Sequence, residues 1–164
     1  MCHPTYSQRI TITPMTRAFF QKIEPCLQGT EFPQDEFLDQ LAWTADGLIP
    51  VITQQHDSGE VLMMAWMNRE SLALTLTTGW VTYWSRSRNQ LWKKGESSGH
   101  LQRLIELRAD CDGDTLLCLA DQKGGACHTG RDNCFYFSFS PNEQVVRVNQ
   151  TMPGVESEGE SGDE

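Results

Sequence analysis

Five consecutive residues, Asp110-Cys111-Asp112-Gly113-Asp114, concentrate the groups best suited to chemistry. Three carboxylates stand at alternate positions, with a thiol between the first two. Cys127-His128 and Cys134 follow downstream. Carboxylate oxygens are hard donors that suit Mg²⁺, and thiolates are soft donors that suit Zn²⁺. Both kinds in one short stretch point to two different metals close together. If the segment is extended, the three aspartates share one side and Cys111 faces the other. Gly113 permits a bend that would break this alternation. Three crowded carboxylates repel one another unless a cation neutralises them. A calcium loop of the EF-hand kind would need Glu at its twelfth position. Asp121 stands there, without a flanking helical pattern.

The thiol spacing has its own meaning. No Cys-Xaa-Xaa-Cys knuckle occurs, which argues against a zinc ribbon. Three thiolates from Cys111, Cys127 and Cys134 would leave the fourth zinc position to water, the arrangement of a catalytic rather than a structural site. His128 is adjacent to Cys127, and neighbours in an extended chain point apart. Its expected role is a base beside the zinc-bound water. Cys118 lies in the apolar run Leu116 to Ala120 and reads as core. Cys2, His3 and Cys26 read as inert. An even count of six cysteines would suggest disulfides in a secreted chain,. Met1 to Phe20 has no apolar h-region, so reduced thiols and a cytoplasmic location are expected.

Between Ser85 and Gly99 the chain turns basic, against its overall sign. Arg86, Arg88, Lys93 and Lys94 lie close together among serines and glycines. Guanidinium forks bind phosphate oxygens in pairs, lysine adds a point charge, and exposed amides complete a cradle. An anionic small-molecule substrate follows, with Arg86, Arg88 and Lys94 as its expected ligands. Trp92 could stack on a base or simply pack. The plainer reading is a solvated hairpin tip.

These groups need a frame. The chain has 164 residues, 38% of them apolar, enough for one domain with a core,. Its net charge is −9, and the end from Gly154 onward is acidic without a base. Residues 151–164 are expected to be a disordered acidic tail. The acidity argues against nucleic-acid binding, and no apolar run is long enough for a membrane span. Residues 1–31 read as an N-terminal extension, with a short helix at Thr16 to Ile23. Residues 32–150 read as the domain. A helix is expected at Phe32 to Leu41. A hairpin follows, Leu48 to Gln54 and Val61 to Trp66, turning at Asp57-Ser58-Gly59-Glu60. The main helix begins at Asn68 as N-cap and ends at Gly79. Further strands are expected at Trp80 to Ser85, His100 to Leu107, Thr115 to Ala120, Phe135 to Phe139 and Val145 to Val148. One main helix among many strands predicts an α+β fold with mostly antiparallel pairing.

The stretches Glu60-Val61-Leu62-Met63-Met64-Ala65-Trp66-Met67-Asn68, Ser85-Arg86-Ser87-Arg88, Leu91-Trp92-Lys93-Lys94-Gly95-Glu96-Ser97-Ser98-Gly99, Asp110 to Asp114 and Ala126-Cys127-His128-Thr129-Gly130 together resemble the phosphoribosyl-AMP cyclohydrolase family. The likeness covers roughly Leu41 to Tyr136. It implies hydrolytic opening of the adenine ring of phosphoribosyl-AMP between N1 and C6, the third step of L-histidine biosynthesis. It implies zinc on Cys111, Cys127 and Cys134, and magnesium on Asp110, Asp112 and Asp114. It also implies an intertwined homodimer that shares the zinc, Cys111 coming from one chain and the other two thiols from its partner. A nucleotide deaminase would carry His-Xaa-Glu and Pro-Cys-Xaa-Xaa-Cys, and neither is present. A zinc-stabilised binding module would need a closed four-ligand site.

Overall fold

The computed structural model describes residues 14–156. Cys2, His3 and the acidic end 157–164 lie outside the described residues. The chain runs α1 (Pro14–Ile23), α2 (Gln34–Asp39), β1 (Ile49–Gln55), β2 (Val61–Met67), α3 (Arg69–Thr78), β3 (Thr82–Ser85), β4 (Gln90–Lys93), β5 (Gln102–Ala109), β6 (Leu116–Gln122), β7 (Phe137–Phe139) and β8 (Val146–Val148). The class is α+β, as expected.

Six strands form one sheet in the order β4-β3-β2-β1-β6-β5, and β7 pairs with β8 apart from it. Every pairing is antiparallel except β1 with β6, which is parallel and sets Val51 beside Leu116. The sheet is therefore a four-strand antiparallel unit, β1 to β4, and the β5–β6 hairpin, joined along a central parallel seam. Ile49, Val51, Met67, Leu72, Tyr83, Leu116, Cys118 and Ala120 are buried in the core. Cys118 is core as expected, and burial pushes its thiol up to about 12,.

The main helix has the boundaries its residues call for. Asn68 accepts from the Ser71 amide, while the Ser71 hydroxyl accepts from the Asn68 amide. Gly79 closes the helix in the left-handed conformation, at φ 74°,. Thr75 ties the helix to the sheet by accepting from the Thr82 amide at 2.9 Å.

Three features go beyond the sequence reading. Gln90 to Lys93 is a strand, so the solvated tip of that hairpin is only Arg86 to Asn89. The acidic segment is a turn between β5 and β6, not an extended run. The extension contributes to the domain: Phe20 of α1 is buried in the core cluster, and Phe19, Phe20, Phe32 and Phe37 meet edge to face or tilted.

A buried polar network crosses the sheet. The Tyr83 hydroxyl donates to Gln102 Oε1 at 2.7 Å and lies 2.6 Å from Thr53 Oγ1. Gln102 Nε2 donates to Gln122 Oε1, and Gln122 Nε2 donates to the His100 carbonyl. Among the described residues, no buried side-chain nitrogen or oxygen lacks a partner.

Candidate active site and metal ligands

The aspartates meet because the chain turns. Asp110 Oδ1 accepts from the amides of Asp114 (3.0 Å) and Thr115 (3.3 Å), and the Asp110 amide donates to the Thr115 carbonyl. Gly113 takes a φ of 70°, a conformation that disfavours any side chain,. One carboxylate oxygen from each of Asp110, Asp112 and Asp114 can be chosen so that all lie within 4.8 Å of one another. Partial burial, then a hydrogen bond to Asp114 and the charges of Asp114 and Asp112, push the Asp110 carboxyl up to about 6,. A divalent cation among these oxygens would relieve that repulsion, so the donor set fits magnesium.

Two of the three thiols also meet. Cys127 and Cys134 are near enough for each to shift the other's ionisation. The loop between them is pinned at several points. The Cys134 amide donates to Leu62 of β2 at 2.8 Å, Asn133 donates to Glu60 at 2.7 Å, and the Gly130 amide returns to the Cys127 carbonyl. Gly125 allows the backbone at Gly130 to come close, and an added Cβ there would lie 2.5 Å from the Gly130 oxygen. Burial raises the Cys127 thiol. The Thr129 hydroxyl and amide, Cys134 and the Arg131 charge outweigh it and leave the net shift downward. Burial and the Cys127 charge push Cys134 up to about 11. Cys127 therefore ionises first.

Cys111 is exposed on the acidic turn. Among the described residues of one chain, only the aspartates form a group of three able to hold an ion. A zinc on Cys127 and Cys134 needs further donors from elsewhere, and soft paired thiols fit that metal.

A cleft of about 300 Å³ runs beside the thiols, lined by Arg88, Trp92, Lys94, Ser97, Ser98, His100, Cys127 and His128 among others. The basic stretch and the thiol loop thus share one cavity. His128 is exposed, with Nδ1 3.9 Å from the Cys127 sulfur. Arg88 lies over the Trp92 ring at 5.8 Å and donates to the Ser85 hydroxyl. Arg86 is elsewhere: it covers Trp66 at 4.7 Å and lines a separate depression with Asn68, Trp84 and Asn89. Lys94 is buried, and its Nζ donates to the Ala126 carbonyl. Burial lowers the Lys94 ammonium, while the Cys134 and Cys127 charges hold it up.

Several residues of the site carry no legible signal in the sequence. His100, with Nδ1 3.1 Å from the Gly125 carbonyl, is a lone histidine at a strand start. Glu60 and Asn133 are far apart in the chain and meet only in the fold.

The fold is α+β, and its basic, thiol-bearing cleft is the candidate active site. The family model for phosphoribosyl-AMP cyclohydrolase matches residues 63–136. A phosphoribosyl-AMP cyclohydrolase of Alkalilimnicola ehrlichii is 63% identical over 117 residues, covering 71% of this chain and 82% of that protein. One of Rhodospirillum rubrum is 64% identical over 110 residues, 67% and 77% of the two chains. One of Acidiphilium cryptum is 71% identical over 90 residues, 55% and 78% of the two chains. The chain belongs to the phosphoribosyl-AMP cyclohydrolase family, and its members are hydrolases.

Proposed function

We propose that this chain opens the adenine ring of phosphoribosyl-AMP by hydrolysing its N1–C6 bond, as a step of L-histidine biosynthesis in the cytoplasm. Family membership supports the activity, and the single observation carrying the site is the shared cleft. Arg88, Ser97 and Ser98 line it together with Cys127 and His128.

A ribosyl group on N1 makes the ring cationic and C6 electrophilic. Cys127 and Cys134, with Cys111 of a second copy, would hold zinc. Such a zinc lowers the pKa of a water ligand from about 16 to about 7. Asp110, Asp112 and Asp114 would hold magnesium. His128 takes the proton from the water that attacks C6 and returns it towards N1 as the N1–C6 bond breaks. The entering oxygen becomes the carboxamide oxygen, and N1 leaves as the formimino nitrogen. Arg88 binds phosphate oxygens in the cleft, and Arg86, in its separate depression, is assigned to the substrate's other phosphate,. Lys94 serves the same end less directly, because its ammonium is already committed to the Ala126 carbonyl. Its charge stands by the thiolates.

The same reading includes a homodimer, because among the described residues of one chain Cys111 joins no group of three ligands with Cys127 and Cys134. The test is Cys127→Ala. It should lose bound zinc and ring-opening activity together, read by metal analysis and by the absorbance change on phosphoribosyl-AMP consumption. Full turnover by the zinc-free variant would overturn the mechanism.

A further inference from the structure

The turn that carries the three aspartates is braced from outside the segment that the family model matches. Its glycine, Gly113, is buried against the Phe20 ring of α1, and a Cβ added there would overlap the ring's Cε2 and Cζ atoms. On the other side, the Ala42 amide donates to the Gly113 carbonyl at 2.8 Å. Phe20 is only 4% exposed, and it is itself fixed. Phe19 stands edge-on to it at 5.2 Å, and Phe37 of α2 at 5.6 Å. The α2 helix then leads directly to Ala42. Two arms of one aromatic cluster therefore grip the same glycine.

We propose that Phe20 is a positioning residue for the cation held by Asp110, Asp112 and Asp114. The inference rests on reading those aspartates as magnesium ligands. Mutual repulsion drives three carboxylates on a short turn apart when no ion is present. Hydrogen bonds from Asp110 close the turn locally, but they do not fix how the turn sits on the sheet. The flat ring on the Gly113 Cα does, by denying the turn room to fold inward. A turn already ordered loses less entropy on binding an ion, so the affinity is higher. Residues supporting metal ligands from behind typically change affinity by about ten- to a hundredfold when removed.

The experiment is Mn²⁺ titration of the full-length, zinc-loaded protein, followed by electron paramagnetic resonance. Wild type, Phe20→Ala, Phe20→Leu and Phe19→Ala are compared, with folding checked by circular dichroism. Phe20→Ala should bind Mn²⁺ about tenfold more weakly. Phe20→Leu keeps the apolar bulk without the flat ring and should fall between; it carries the test if Phe20→Ala does not fold. Phe19→Ala disturbs the same cluster away from Gly113 and should bind as wild type does. Unchanged affinity in a folded Phe20 variant overturns the inference. So does an equal loss in Phe19→Ala, which would mean a general loss of packing. If wild type binds Mn²⁺ no better than Asp112→Asn does, the aspartates are not cation ligands, and the underlying reading fails instead.

Discussion

At the scale of single residues, Asp110 links the site to stability. Its carboxyl titrates at about 6 in the fold, against an ordinary 3.8. A raised carboxyl stabilises the fold when protonated. That contribution is complete below the ordinary value and disappears as pH rises through the folded one. The magnesium-free protein should therefore lose melting temperature between about pH 4 and about pH 6 from this group. Added Mg²⁺ should raise the melting temperature at about pH 7 and do little at about pH 4, and Asp110→Asn should flatten the difference. Thermal melts at the two pH values, with and without the ion, check this. Residue types marked the clusters well: the acid trio does come together, and Cys127 and His128 do share a cleft with the basic stretch. Burial was not legible. Lys94 reads as one more phosphate ligand among Arg86, Arg88 and Lys93, yet it is the one cation of that group that is buried, held on a backbone carbonyl. Charge is visible in a sequence; the low-dielectric surroundings that redirect it are not.

At the scale of elements, α3 was the easiest to read because its ends are marked chemically. Asn68→Ala removes one half of a reciprocal cap and should cost about 0.5–2 kcal/mol, measured by urea denaturation. The hairpin of β1 and β2 was equally plain, since its turn residues and β-branched runs agree. Two features were hidden. Gln90-Leu91-Trp92-Lys93 mixes polar and apolar residues too briefly to show a period, and its strand identity comes from pairing with Thr82 to Ser85. The alternation of the acidic stretch left an extended run and a bend at Gly113 both open. The clustering of its carboxylates depends on Gly113 turning the chain beneath Phe20, a contact between residues far apart in sequence.

At the scale of the whole molecule, the β7–β8 hairpin is the least satisfied part of the surface. Phe137, Phe139, Val146 and Val148 are all exposed, Phe139 at 80%. A lone two-stranded ribbon is marginal in water, and this one is apolar as well. It suits the contact between copies that the proposed shared zinc requires. Phe139→Glu should shift the protein to monomers in sedimentation velocity and lower its zinc content per chain. Retained dimers with full zinc would separate the hairpin from the interface. The parallel pairing of β1 with β6 has a kinetic consequence. The β1–β2, β3–β4 and β5–β6 pairs close through short loops, and such steps are fast,. The β1–β6 join must bring Val51 to Leu116 across most of the domain, and closing so long a loop is slow,. Cys134 is anchored on β2 while its loop leaves β6, so the thiol loop takes its seat on the sheet only once that late zipper has shut.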